Sequence, residues 1–180
     1  MSDETYPREF LADLAALKRL EGGYSNHRDD PGGRTYAGIT ERDHSDLWRD
    51  GQPSDAAVAG RYYRDYWRGA GCWRIASDLV RFELFECGVL CGPRRAGRCL
   101  QAAYNWLCEY RGFRPLQVDG AVGPMTAFAV RRWCGISRNY ELALARWQNV
   151  EQAKLFERIE GAAFRVGWAA QRLGLANGLE

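Results

Sequence analysis

Residues 8–40 read REFLADLAALKRLEGGYSNHRDDPGGRTYAGIT, and a change of texture inside this stretch decides what kind of fold the chain can make. Over residues 8–20, Phe10, Leu14 and Leu17 recur at offsets of four and seven, the stripe of an amphipathic helix laid on a core. Gly22 and Gly23 stop that helix. Residues 24–40 then turn to Asn, Asp, Pro, Gly and Thr, with turn chemistry at Asp30, Pro31, Gly32 and Gly33. That composition predicts an irregular loop with room for short strands, the least helical part of the chain.

Outward from this stretch the sequence is helical. Pro53 and Ser54 open a helix that carries Tyr62, Tyr63, Tyr66 and Trp67 before Gly69 and Gly71 end it. Ser77 caps the next, over residues 77–91, where Leu79, Val80, Phe82, Leu84, Phe85, Val89 and Leu90 make most of the circumference apolar, as in a buried central helix. Pro93 restarts the chain as a helix through residue 110, with Leu100, Ala103, Tyr104, Leu107 and Cys108 facing inward. The stretch VDGAVGPMTAFAVRRW, residues 118–133, combines a loop with a helix opened near Pro124, and a last long helix is expected from Arg138 to about Ala163. Strand patterns are few, so the expected class is mainly α.

Composition narrows the function. The 180 residues, 46% hydrophobic, suffice for one core, or for one core with a small appended subdomain. A formal charge of +2 argues against a phosphate-rich partner, and solvated faces account for Arg94, Arg95, Arg98, Arg131 and Arg132, so no nucleic acid is expected. No apolar run approaches the roughly 20 residues that span a bilayer, so no membrane insertion is expected. The first twenty residues mix charges into the apolar positions and show no cleavable signal peptide. Six cysteines allow fifteen pairings between which sequence cannot choose; without a signal peptide, reduced thiols are expected. With no CxxC pair, and His27 and His44 far from the cysteine cluster, neither a metal nor another cofactor is expected. GGRT lacks the spacing and the lysine of a phosphate-binding loop.

Glu21 is the first candidate for chemistry. Phe10, Leu14 and Leu17 precede it by eleven, seven and four residues. At 3.6 residues per turn it falls within about 40° of each of them. A carboxyl group held against nonpolar side chains loses hydration in its charged form, which raises its pKa and lets it keep a proton near neutral pH. A general acid for a glycosidic bond needs that property. The alternative is a solvated glutamate at a helix end. The loop after it offers Tyr24, Asn26, Asp29, Asp30, Thr35 and Tyr36, either a fan of hydrogen-bonding groups for a sugar or the braces of an irregular loop. Tyr62, Tyr63, Tyr66 and Trp67 are either core or partly the wall of a groove.

The segment EGGYSNHRDDPGGRTYAGIT, residues 21–40, resembles the signature of the glycoside hydrolase family 108 muramidases: EGGY, an Asn, DPGG, a Thr and GIT. The likeness extends more loosely to YYRDYW and to LFECGVLCGPRRAGRCLQ, where Glu86 stands in place of a usual Asp and Leu90 in place of a usual Asn. From about Ala96 onward the chain resembles the predicted peptidoglycan-binding region of the same family, VDGAVGPMT being its most recognisable element. The resemblance implies a lysozyme-like helical fold, with a catalytic region over residues 1–95 and a helical peptidoglycan-binding region over residues 96–180, packed together without a clear linker. It implies hydrolysis of the β-1,4 bond between N-acetylmuramic acid and N-acetylglucosamine in peptidoglycan glycan strands. Glu21 would be the catalytic acid and Asp30 the second carboxylate, with Asp29 in reserve. Tyr24, Asn26, Thr35 and Tyr36 would bind substrate, and Tyr66 would line the groove. Such a protein is expected to be made in the cytoplasm and to act in the periplasm or cell wall, exported through a phage holin or a secretion apparatus. A noncatalytic wall-binding accessory protein and a lytic transglycosylase are the alternatives.

Overall fold

The computed structural model describes residues 6–21, 24–25 and 34–159, apart from the side chains of Glu21, Ser25 and residues 157–159. The chain divides into two compact units, Met1–Arg64 and Asp65–Glu180. Among the described residues no helix is long and apolar enough to cross a membrane.

In the first unit, helix α1 (Arg8–Glu21) forms where the stripe predicts it. Phe10 and Leu17 are fully buried and Leu14 nearly so, each contributing about 1.5–3 kcal/mol by leaving water. Lys18 and Arg19 sit in its last turn, where positive charge complements the helix dipole. The irregular stretch holds three two-residue strands, β1 (Tyr24–Ser25), β2 (Thr35–Tyr36) and β3 (Ile39–Thr40), antiparallel in that order.

The β2–β3 turn is Ala37-Gly38, with φ of 48° and 79°. Two successive positive φ values match the twist of a tight hairpin. Alanine in this left-handed region carries a steric cost of about 1–2 kcal/mol, and the turn is held from below: the buried Tyr62 hydroxyl donates to the Ala37 carbonyl at 2.8 Å.

Helix α2 (Asp55–Arg61) starts as expected, with the Ser54 hydroxyl accepting from the Ala57 amide at 3.2 Å. It continues directly into a seven-residue π-helix, Tyr62–Arg68, which the sequence pattern did not anticipate. Its i→i+5 ladder redistributes the aromatic side chains relative to an α-helical wheel. Tyr62 and Trp67 become core, and Tyr63 stacks edge-on to Phe10 at 5.0 Å.

In the second unit, α3 (Asp78–Cys91) is capped by Ser77, whose hydroxyl accepts from the Val80 amide at 3.2 Å. Residues 79–88 are all buried, as a central helix requires, and α3 packs against both α4 (Pro93–Cys108) and α6 (Arg138–Ile159). Val89 and Leu90, expected inward, are only half-buried, because they occupy the last turn before the helix ends at Gly92. Leu107 is half-buried as well, at the end of α4, while Leu100, Ala103, Tyr104 and Cys108 are core as predicted. A short 3-10 turn, Glu109–Arg111, follows α4, and Pro124 opens α5 (Pro124–Cys134). The expected end of the last helix near residue 163 lies outside the described residues.

The core of this unit is not wholly apolar. Glu86, on α3, is 2% exposed and accepts a hydrogen bond from Gln152 of α6 at 3.1 Å, so a buried carboxylate joins two helices. Trp106 of α4 stacks on Trp147 of α6, with ring centroids 3.5 Å apart and planes within 13°.

The loop between α4 and α5 lies along one face of α4, at Gly97, Gln101 and Asn105, which are spaced one turn apart. Asn105 exchanges two hydrogen bonds with the Leu116 backbone, both of 2.7 Å. The buried Gln101 donates to Asp119 and to the Ala121 carbonyl at 2.9 and 3.1 Å and accepts from the Gly120 amide at 2.8 Å. A methyl group at Gly97 would stand 2.3 Å from the Gly120 carbonyl oxygen, so glycine alone permits this approach. All six cysteines are free thiols.

Candidate active site

Of the residues singled out from the motif, Glu21 ends α1, and Tyr24, Thr35 and Tyr36 lie in the small sheet. Glu21 is the last residue of α1, in register with Phe10, Leu14 and Leu17, all of them buried. Three residues later β1 begins. Tyr24 pairs with Tyr36, and Thr35 stands in register with Ser25 on one side and Thr40 on the other. Residues directly opposite in antiparallel strands share a face, so Tyr24, Tyr36 and Ile39 occupy one face of the sheet, and Thr35 and Thr40 the other.

Of the predicted contacts, Tyr24 and Tyr36 are therefore brought together on one face, and Thr35 lies on the other. Tyr24 is half-exposed, and Thr35 and Tyr36 are half-buried. The Glu21 side chain, Asn26, Asp29 and Asp30 lie outside the described residues; the last three fall between β1 and β2 in the sequence. Tyr66 stands on the π-helix within the second unit and is half-buried.

A set of ion pairs that sequence reasoning did not find fixes the surroundings. Asp55, in the first turn of α2, accepts from Lys18 of α1 at 3.0 Å and from the Tyr36 hydroxyl at 3.1 Å, tying α1, the sheet and α2 at one carboxylate. Those two hydrogen bonds hold its pKa below the ordinary value. Arg34, just before β2, grips Glu41, just after β3, in a two-pronged pair of 2.8 and 2.7 Å, closing the base of the hairpin. The Glu41 carboxyl is lowered by that hydrogen bonding and the Arg34 guanidinium raised by it. Arg34 also lies 5.1 Å from the centre of the buried Trp48 ring.

Thr40 accepts from the Asp43 amide at 3.2 Å and donates to its carboxylate at 2.9 Å, so this threonine braces the turn after β3. One buried carboxylate was legible and passed over: Asp13, 4% exposed, lies three residues after Phe10 and four before Leu17, on the same stripe that leads to Glu21.

The described residues thus comprise a glutamate that ends a helix with an apolar inner face, and a small braced sheet that carries the half-exposed Tyr24 and the half-buried Thr35 and Tyr36. Among the described residues no three His, Cys, Asp or Glu side chains converge as a metal site.

Comparison with known proteins converges on the same segment. Residues 14–92, which contain the second half of α1, the sheet, α2, the π-helix and α3, match the family model described as Glycosyl hydrolase 108. No curated protein sequence matches the chain. Among solved structures, that of Brucella abortus SagA superposes with a TM-score of 0.67 at 22% identity, covering 94% of this chain and 92% of that one, which shows a shared fold. Over residues 14–92, then, the chain is similar to the glycosyl hydrolase 108 family.

Proposed function

We propose that this protein is a muramidase that hydrolyses the β-1,4 bond between N-acetylmuramic acid and N-acetylglucosamine, with Glu21 as the general acid. The observation that carries the reading is the coincidence of three things at one position: the family match, the EGGY motif and the end of a helix whose apolar stripe runs into Glu21. A carboxyl in that register gains proton affinity from its neighbours and can protonate the leaving oxygen. Asp30 is the partner that positions water or stabilises the developing oxocarbenium charge. Tyr24, Asn26, Thr35 and Tyr36 bind sugar around them, with Tyr66 lining the groove.

The Tyr36 hydroxyl already donates to Asp55, so its part is to present its ring edge and to fix the strand. Residues 1–95 are the catalytic region, and residues 96–180 hold the substrate. The family match supports peptidoglycan as the polymer attacked. Delivery to the wall is by a phage pore or a secretion apparatus, and the enzyme works in the periplasm or wall.

The test is digestion of purified peptidoglycan by the wild type and by Glu21→Gln, with products identified by mass before and after borohydride reduction. Reducible muramic ends from the wild type, lost by orders of magnitude in the folded variant, are expected. Anhydromuramic ends would instead make the protein a lytic transglycosylase. Absence of products with both proteins would refute the catalytic reading.

A further inference from the structure

The second unit carries a groove of about 660 Å³ that the glycosidase chemistry does not use, within the volume range of small-ligand sites. Its walls are the α4–α5 loop and the outer face of α5. Met125 and Phe128, adjacent on that face, are 71% and 63% exposed, an unusual expense of apolar surface for two side chains so close together. Arg114 and Arg132 border the same groove, and neither pairs with a carboxylate among the described residues.

Among the described residues the groove has one acid, Asp119, and its charge is already engaged by the Ala121 amide and by Gln101, which hold its pKa down. Arg132 is aligned rather than loose: its guanidinium lies 4.0 Å from the centre of the Phe113 ring, and it stands near enough to the Tyr104 hydroxyl to act on its titration. The scaffold beneath is rigid, because Gln101 and Asn105 fasten the loop to α4 and Gly97 lets the two backbones touch.

An apolar trough bordered by an oriented Arg132 and by Arg114, neither paired with a carboxylate among the described residues, suits a short anionic peptide with small aliphatic side chains. A sugar would instead ask for a fan of free acceptors, whereas the carboxylate of Asp119 is already engaged. Resting on the muramidase reading, we propose that this groove binds the stem peptide of peptidoglycan, with Arg132 and Arg114 reading its carboxylates and Met125 and Phe128 covering its alanine methyl groups. The chain would then grip the wall by its peptides while cutting its glycan, and stretches stripped of peptide would be poorly held.

The test is calorimetric titration of the full chain with a sugar-free stem tetrapeptide of alanine, γ-linked glutamate, diaminopimelate and alanine. The controls are the same peptide with amidated carboxylates and a peptide-free glycan oligomer. Expected are saturable binding of the acidic peptide, weakening of tenfold or more for Arg132→Gln, for Phe128→Ser and for the amidated peptide, and no competition from the glycan. Failure of the peptide to bind, or binding indifferent to both Arg132→Gln and Arg114→Gln, would overturn the proposal. Displacement by the glycan would also overturn it and give the groove to sugar. Since the peptide has no glycosidic bond, this outcome is independent of the Glu21→Gln digestion, and either reading can fail alone.

Discussion

Replacing Tyr62 by phenylalanine removes one oxygen from the interior of the first unit and leaves the ring to fill the same space. The lost hydroxyl donates at 2.8 Å to the carbonyl of Ala37, at the tip of the β2–β3 turn. That residue sits at φ 48°, in a conformation alanine adopts only under constraint. A buried carbonyl deprived of its partner costs about 1–3 kcal/mol. Released from its anchor, the turn can also relieve its strain by opening, which separates Thr35 and Tyr36 from their register. We expect Tyr62→Phe to lower the urea midpoint by that amount of stability with an unchanged denaturant slope. Tyr110→Phe, at a position 83% exposed, should leave it unchanged. Hydrolysis of peptidoglycan should fall several-fold at temperatures where the variant is still folded. An unchanged midpoint, or equal losses in the two variants, would refute the argument that the tyrosine holds the turn.

Other expectations test other links. Leu17→Ala, one turn before Glu21 and fully buried, should destabilise the protein by about 2–5 kcal/mol in denaturant titration. Gly97→Ala drives a methyl group to 2.3 Å from the Gly120 oxygen, and thermal unfolding should show a loss of at least about 1–3 kcal/mol, because both sides of the clash are backbone. The carboxyls of Glu41, Asp43 and Asp55 are all lowered by their hydrogen-bonding partners. Their contribution is therefore complete above the ordinary carboxylate pKa of about 4 and is lost as pH falls through their lower folded values. Urea midpoints at pH 6 and pH 3 should differ in that direction, modestly because these pairs are exposed, and Glu41→Gln should flatten the difference. Burial pushes the Cys134 thiol up to about 11, so its alkylation rate at pH 8 should be slow and should rise about tenfold per pH unit toward that value.

Much of the architecture was written in local pattern. The stripe at Phe10, Leu14 and Leu17, the caps at Ser54 and Ser77, and the prolines at 93 and 124 all placed helices correctly, because each acts on backbone within one turn of itself. The short strands were foreseen only as an allowance within a polar loop, since two-residue strands owe their form to partners rather than to alternation.

The π-helix was not legible. Nothing at Tyr62 to Arg68 announces an i→i+5 ladder, and a wheel drawn at 3.6 residues per turn misplaces its side chains. Equally hidden were the polar groups that became interior, Glu86 with Gln152 and Gln101 with the Gly120 loop, because a buried charge or amide is decided by a partner far along the chain. The candidate site followed the same division. Glu21 was a candidate from the helix that carries it, and Tyr24, Thr35 and Tyr36 from their motif. Asp55, which ties Lys18 to Tyr36, could be found only from the tertiary contact.

The stack of Trp106 on Trp147 gives the second unit an optical signature of its own. Two indoles with centroids 3.5 Å apart and planes nearly parallel couple their strong transitions, so their far-ultraviolet dichroism is that of a coupled pair and not the sum of two chromophores. The signal exists only while α4 and α6 are seated against each other. It therefore reports in real time on the scaffold beneath the groove, without a label and separately from the hairpin at Glu21.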